Sequence, residues 1–206
     1  LEQTLHLDVV SALQGTIIDH PLLVNLVNWI YIYGHWPVIG PVLLWLLLSY
    51  PDLLRRVRST MLISGGLAMV VFATFPVAPP RLHLIGIVDT VTQYSHSYRV
   101  LQPPAFVNLN AAMPSLHAGW NMLIGITLIQ IAQRTTNWLA KTVLTVLGIV
   151  MPLFMVFSVI ATANHYLLDV LAGTSLVLII WLGYGRLIRT RKMEPESQNT
   201  SGRNSP

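Results

Sequence analysis

The chain has 206 residues, of which 53% are hydrophobic and only 10% are charged. Soluble domains carry about 25% charged residues, so this composition indicates a membrane protein and excludes an ordinary soluble domain. The formal net charge is +4. In so apolar a chain we attribute this charge to membrane orientation and not to nucleic-acid binding. The sequence contains no cysteine, which excludes disulfides and thiolate metal sites.

Six apolar stretches predict an all-α, polytopic membrane helical bundle with about six transmembrane helices. A bilayer core of about 30 Å needs roughly 20 apolar residues in helical form. Helices are expected because they satisfy their own backbone hydrogen bonds in lipid. The stretches cover residues 17–33, 37–50, 61–77, 115–133, 142–161 and 166–185.

The remaining residues form two termini and one long connection. Residues 1–16 carry apolar side chains at helical spacing, and we expect them to lie along the membrane interface. Residues 78–114 contain five prolines, and connections of this length often form lids or binding loops. We expect residues 1–192 to form a single membrane-embedded domain. Residues 193–206 are polar and are expected to be a disordered tail.

Basic residues are distributed asymmetrically between the predicted spans. Ten of the 12 lysines and arginines fall on one side if six spans alternate, and only Arg81 and Arg99 fall on the other. The positive-inside rule places the side with ten basic residues, and the C-terminus with it, in the cytoplasm. The connection 78–114 is therefore expected to be extracytoplasmic, at the plasma membrane.

Three short polar stretches fall at the extracytoplasmic ends of the predicted helices. VAPPR ends at Arg81, AAMPSLH ends at His117, and ANHYLLD leads into the sixth apolar stretch. A guanidinium such as that of Arg81 can hold phosphate oxygens bidentately. Pro114 and Ser115 are typical of a helix start, with Ser115 as the N-cap. The free N–H groups of a helix start are a natural site for phosphate.

His165 and Asp169 are four residues apart, which places them on one face of a helix. Asp169 can then accept a hydrogen bond from one ring nitrogen of His165 and leave the other nitrogen as a base or nucleophile. The alternative for this pair is a polar contact that holds two helices together. Asn164 can contact phosphate or cap a helix. With His117 to protonate a leaving oxygen, these residues predict metal-free phosphoryl transfer through a phosphohistidine.

PPR, PSLH and HYLLD together resemble the motifs of the type 2 phosphatidic acid phosphatase (PAP2) superfamily. AAMPSLHAGW and ATANHYLLDVLAG are most similar to the branch that includes inositol phosphorylceramide synthase. The resemblance implies a metal-independent lipid phosphate phosphatase or phosphotransferase without a cofactor. It implies that His165 is the nucleophile, Asp169 orients it and His117 is the general acid. It also implies that Arg81 and Ser115 hold the phosphate.

Two cations that the superfamily pattern contains are absent from this chain. Thr74 stands where the first motif of the superfamily has lysine, and Val159 follows Ser158 where the third motif has arginine. These departures fit the synthase-like branch better, in which Pro-Pro-Arg stands in the first motif. Arg99 or a loop backbone is a candidate to take the place of the missing cations.

The sequence leaves the acceptor, the lipid donor and the oligomeric state open. Water as the acceptor gives a phosphatase, and an alcohol such as an inositol gives a phosphotransferase. The expected partners are a lipid phosphate, the bilayer and such an alcohol, but no nucleic acid. A metalloenzyme would instead use His117, His165 and Asp169 as a two-histidine, one-carboxylate set. A transporter would use the histidines as a proton relay, although transporters place such groups near the midplane of the membrane.

Overall fold

The computed structural model describes residues 9–95 and 108–193, and the side chains up to residue 186. Regular structure in these ranges is helical, which confirms the all-α prediction. The helices are α1 (Val9–Gly15), α2 (Pro21–Tyr33), α3 (Trp36–Ser49), α4 (Pro51–Thr74), a 3₁₀ turn (Pro80–Leu82), α5 (Thr90–Tyr94), α6 (Leu116–Ala132), α7 (Trp138–Ala161) and α8 (Leu167–Met193).

Fewer helices than predicted are long enough to cross a membrane alone. In the described ranges, three helices are long and apolar enough: α4, α7 and the part of α8 over Leu167–Arg186. Helices α2 and α3 pass this test only together, as a pair bent by 41° at the break between them. Their 13 and 14 residues reach about 20 Å each at 1.5 Å per residue, short of the bilayer core. Six separate spans are therefore not confirmed.

Local sequence determines where several helices begin. Pro21 and Pro51 lie in the first turns of α2 and α4, where the missing N–H of proline has no consequence. Ser115 and Asn137 cap α6 and α7 by accepting backbone N–H groups through their side chains. The predicted start of a helix at Ser115 is thus observed.

Helix α6 lies at the centre of the bundle and packs closely against α7 and α8. A Cβ on Gly125 would lie 2.6 Å from Pro152 Cγ of α7. A Cβ on Gly173 of α8 would lie 2.9 Å from the backbone nitrogen of Ser115 and 2.7 Å from its carbonyl carbon. Such close approach is typical of membrane helix packing through small residues. It fixes the N-terminus of α6 against the beginning of α8.

Basic residues gather at the end of the bundle opposite Ser115. The guanidinium of Arg134, after α6, donates to both carboxylate oxygens of Asp52 in α4, at 3.1 and 2.7 Å. Arg56 donates to the carbonyl of Trp181 in α8 at 2.8 Å and lies 3.7 Å above its ring. The α3–α4 junction, the α6–α7 link and the C-terminal half of α8 therefore share one end.

Helix α1 packs at the other end of the bundle. Gln14 is buried, and its side-chain amide donates to the carbonyl of Ala161 at the end of α7. The same side chain exchanges hydrogen bonds with the backbone of Val88 in the long connection. The interfacial placement of residues 1–16 stays a prediction, and residues 1–8 lie outside the described part of the chain. The predicted tail also lies outside it from residue 194 onward.

Candidate functional site

Three loops meet at the end of the bundle where α6 and α8 begin. They are the loop after α4, the loop before α6 and the loop between α7 and α8, and they carry the three polar stretches seen in the sequence. Backbone hydrogen bonds join them directly. These are Ala112 N to Val77 O (2.9 Å) and Arg81 N to Ala163 O (3.1 Å), and a third bond, from Ser115 N to Asp169 O (2.9 Å), joins the loop before α6 to the first turn of α8. The structure thus brings together the stretches that are distant in the sequence.

His165 is held by a backbone carbonyl and not directly by Asp169. Its Nδ1 lies 2.8 Å from the carbonyl oxygen of Ala112 and 3.7 Å from Oδ2 of Asp169. That carboxylate oxygen accepts the backbone N–H of Tyr166 at 2.8 Å. The hydrogen bond expected from helical spacing is absent because α8 begins only at Leu167, so His165 precedes the helix.

The contact with Ala112 determines which ring nitrogen of His165 carries the proton. A carbonyl oxygen can only accept, so Nδ1 must be the donor. In the neutral ring, Nε2 then keeps its lone pair. The side chain is 6% exposed, and Asp169 is 2% exposed. The arrangement therefore gives a buried histidine with one free basic nitrogen and a carboxylate behind it.

His117 lies in the first turn of α6, close to His165. The centroids of the two rings are 6.0 Å apart, with their planes tilted by 50°. The ring of Tyr31 from α2 stacks on His117 at 5.0 Å. Two imidazoles from different helices therefore share one small space, as their placement in the sequence predicts.

Arg81 is fixed from two sides. Its Nη1 donates to the side-chain oxygen of Asn164, and its Nε lies 3.3 Å from Oδ2 of Asp89. The Asn164 amide nitrogen donates in turn to the hydroxyl of Thr162 at 2.8 Å. Asn164 therefore orients the guanidinium and caps no helix. The remaining N–H groups of the guanidinium can bind an anion.

Ser115 is fully buried, and its hydroxyl oxygen and its backbone N–H are already hydrogen-bonded. Its hydroxyl accepts from Ala118 N at 3.4 Å, and its own N–H donates to the Asp169 carbonyl at 2.9 Å. The hydroxyl proton is what Ser115 can still offer to a phosphate oxygen. Its role in binding phosphate stays a prediction.

Thr74 and Val159 stand at the positions of the two missing cations, and both use their polar groups in hydrogen bonds within the fold. The hydroxyl of Thr74 donates back to the carbonyl of Val70 within α4 at 2.8 Å. Val159 is fully buried, and its carbonyl accepts the N–H groups of Asn164 and His165. Arg99, the candidate replacement, lies outside the described residues.

Sequence reasoning missed three groups of this site. Asp89 holds Arg81, and the carbonyl of Ala112 holds His165. His35 is 5% exposed, and the centroid of its ring is 4.3 Å from that of His117. The signal for His35 was the Gly-His pair between the first two apolar stretches; a lone aspartate and a backbone carbonyl give no such signal.

No group of three or more histidine, aspartate or glutamate side chains in the described residues is arranged to hold a metal ion. The set of His117, His165 and Asp169 suggested by the sequence does not form such a cluster. Its carboxylate instead accepts the backbone N–H of Tyr166. The metalloenzyme alternative is therefore not favoured.

Comparison with known protein families identifies the superfamily of the chain. The sequence model of the PAP2 superfamily matches residues 1–183. No curated protein and no solved structure matches the chain. The matched range includes the loops that carry Arg81, His117 and His165, so it covers the whole of the site described above. The chain therefore belongs to the PAP2 superfamily.

Proposed function

We propose that this protein is an integral membrane lipid-phosphate phosphatase or phosphotransferase that acts through a phosphohistidine at His165. Membership of the PAP2 superfamily supports phosphatase or phosphotransferase chemistry, and the apolar helices support a membrane location. The observation that carries the proposal is the 2.8 Å contact between Nδ1 of His165 and the Ala112 carbonyl. It leaves Nε2 as a nucleophile in a buried site.

In the first step, Nε2 of His165 attacks phosphorus, and the bond between phosphorus and the lipid oxygen breaks. His117 gives its proton to that oxygen, so the lipid alcohol leaves neutral. Arg81 holds the phosphate oxygens, with Asn164 and Asp89 keeping its guanidinium in place. The ring of His165 gains positive charge, which the Ala112 carbonyl and the nearby Asp169 carboxylate stabilise.

In the second step, the acceptor replaces the histidine on phosphorus. His117, now neutral, takes a proton from water or from an alcohol as that oxygen attacks. The bond between Nε2 and phosphorus breaks, and His165 returns to its starting state. Water gives inorganic phosphate, whereas an alcohol such as an inositol gives a new phosphate ester. The chain requires no metal or cofactor for either step in this proposal.

We place the site on the extracytoplasmic side of the plasma membrane and the C-terminus in the cytoplasm. The end of the bundle that carries Arg56, Arg134 and Lys141 faces the cytoplasm by the positive-inside rule. This orientation rests on α4, α6, α7 and α8, and it is the same with α2 and α3 together as one bent span. The Pro-Pro-Arg motif, with Thr74 in place of lysine, supports the branch that resembles inositol phosphorylceramide synthase.

Phosphate release in detergent tests the proposal. The intact chain is given phosphatidic acid or polyprenyl phosphates in the presence of a strong chelator, and release of inorganic phosphate is expected. If none appears, inositol is added and transfer to it is measured by mass spectrometry. Activity that disappears with the chelator would favour a metalloenzyme. Absence of both release and transfer would contradict the proposal, and proton or ion flux in vesicles would then support a transporter.

Replacing Asp89 by asparagine is expected to weaken phosphate binding. Hydrogen bonds to charged groups contribute about 1.5–3 kcal/mol, and partial exposure of this pair reduces that to about 1 kcal/mol. The carboxylate is 24% exposed and the guanidinium 11% exposed. We expect KM for the lipid phosphate to rise about fivefold, since 1.4 kcal/mol is tenfold, with a smaller change in kcat.

The matched control for Asp89 is Asp52→Asn, which removes a carboxylate from an arginine at the opposite end of the bundle. It should leave KM unchanged. Equal KM values for the Asp89 and Asp52 variants would show that Arg81 is positioned without the help of Asp89.

A further inference from the structure

A third histidine, His35, lies beside the two histidines of the proposed reaction. It occupies the break between α2 and α3, where Gly34 packs closely against α7. A Cβ on Gly34 would lie 3.1 Å from Cε of Met155. The carbonyl of His35 accepts the N–H groups of Val38 and Ile39, so this residue also begins α3. The break in the helix thus places a buried imidazole inside the bundle.

The ring of His35 packs between groups of α6. Its centroid is 4.3 Å from that of His117 and 5.9 Å from that of Trp120, on which it stacks with an interplanar angle of 6°. Tyr31, one turn earlier on α2, stacks on His117 at 5.0 Å. The His117 ring therefore contacts two rings from this part of the chain, and these limit the positions that it can adopt.

Asn121 connects His35 to His117. Its side-chain nitrogen donates to the backbone carbonyl of His117 at 2.9 Å and lies 3.1 Å from Nδ1 of His35. Rotating the amide would bring its oxygen against the His117 carbonyl, so two acceptors would face each other. The nitrogen therefore faces both groups, and Nδ1 of His35 must accept. The ring of His35 then carries its proton on Nε2 and is neutral.

A neutral His35 matters because His117 must carry a proton to act as the general acid. A second cation with its ring 4.3 Å away would disfavour the protonated form of His117. The titratable groups that face His35 are His117 on α6 and His165 before α8, with the carboxylate of Asp169 behind His165. The hydrogen bond from Asn121 would be lost if Nδ1 of His35 became protonated.

We infer that His35 and Asn121 are positioning residues for His117: Asn121 holds His35 in its neutral form, and together they fix the general acid. This inference rests on the proposed function for its effect on the reaction. The tautomer of His35, however, follows from the hydrogen bonds alone. Two experiments therefore test the inference, and only one of them needs activity.

The first experiment determines the tautomer of His35 by nitrogen NMR on protein labelled with isotope-enriched histidine, in detergent at neutral pH. The His35 signals are assigned by their absence in His35→Gln. We expect Nδ1 to show the chemical shift of a nitrogen without a proton and Nε2 that of a protonated nitrogen. A protonated Nδ1 would overturn the inference, whether or not the protein releases phosphate.

The second experiment compares the kinetics of His35→Phe and His35→Gln. Phenylalanine keeps a ring but has no acceptor for Asn121, so kcat should fall about tenfold, a fraction of what a general acid contributes, with KM unchanged. Glutamine offers an acceptor oxygen and should restore kcat to within about threefold. The control is His20→Phe, because His20 is exposed and its side chain caps no helix.

The pH profile of His35→Phe gives a readout that a purely structural role would not move. The basic limb of the kcat profile, over which kcat falls as the pH rises, reports loss of the proton from His117. If His35 is neutral, replacing a polar ring by an apolar one disfavours the His117 cation, and the limb moves to lower pH. If His35 were a cation, its removal would move the limb to higher pH. A shift to higher pH, an unmoved limb or an unchanged kcat would each overturn the inference.

Discussion

Replacing His165 by glutamine is expected to lower phosphate release by at least about 10³-fold, as the loss of a nucleophile does in other enzymes with covalent intermediates. Glutamine is similar in size, and its amide N–H can still donate to the Ala112 carbonyl, so the loop should keep its shape. It offers no nitrogen lone pair for phosphorus. The measurement is inorganic phosphate release in detergent, with the melting temperature recorded for each variant.

The control for His165→Gln is His83→Gln, an exposed histidine in the long connection, which should behave as the unmodified protein. A His165 variant that melts at the usual temperature and keeps more than a tenth of the activity would exclude His165 as the nucleophile. The proposed function would then lose its central step.

The covalent intermediate is detectable in His117→Gln. With a radiolabelled aryl phosphate whose phenol is acidic, such as a nitrophenyl phosphate, the leaving group needs no proton, so phosphorylation of His165 should still occur. The second step lacks its base, and labelled protein should accumulate. A phosphohistidine is recognised because it is labile in acid and stable in alkali. Label that survives acid, or that appears equally in His165→Gln, would contradict a phosphohistidine at His165.

Replacing Gly173 by alanine is expected to destabilise the protein by about 1–3 kcal/mol, the usual cost of inserting atoms into a packed interior. The added Cβ would meet backbone atoms of Ser115, which cannot rotate away as a side chain can. Ser115 N also donates to the Asp169 carbonyl, so moving the N-terminus of α6 breaks this bond and displaces His117 from His165. Activity should therefore be lost together with stability.

Gly183→Ala on the same helix is the matched control, because no atom beyond its chain neighbours and the backbone of its own helix lies within 4 Å of the added Cβ. Alanine favours helix over glycine by about 1 kcal/mol, so this variant should be as stable as the unmodified protein or more so. Thermal unfolding and phosphate release are measured for both. Equal melting temperatures and equal activities in the two variants would show that α6 and α8 do not depend on this contact.

Sequence patterns predict the parts of this structure that depend on local signals. Prolines and Ser115 mark helix starts, and the polar stretches around Arg81, His117 and His165 fall at helix ends that meet in the fold. The two separate spans predicted on either side of Gly34 are not confirmed, because neither α2 nor α3 is long enough to cross a bilayer alone. Apolar composition reports that a segment prefers lipid but not where the helix bends.

The details of the site were less accessible to sequence reasoning. The spacing of His165 and Asp169 suggests a direct hydrogen bond, yet α8 begins after His165, and the Ala112 carbonyl takes that place. Every residue has a backbone carbonyl, so the pattern of side chains does not predict a contact with a carbonyl from a distant segment. His35 resembles an ordinary interfacial histidine until the helix break directs it toward His117. Such contacts arise from tertiary packing and not from the residues beside them.

The backbone hydrogen bonds between the three loops contribute to the shape of the site, whereas side chains determine its charge. Main-chain donors and acceptors are common to all residue types, so these hydrogen bonds can form with different side chains at the same positions, provided that those side chains fit. Val159 illustrates this, since its carbonyl accepts the N–H groups of Asn164 and His165 while its side chain packs in the buried core. A valine at this position lacks the positive charge that an arginine would add to the electrostatic field of the site, while its carbonyl still contacts the loop that carries the nucleophile. The charge around a phosphate in this site is therefore set by side chains, whereas the position of the nucleophile is set largely by the main chain.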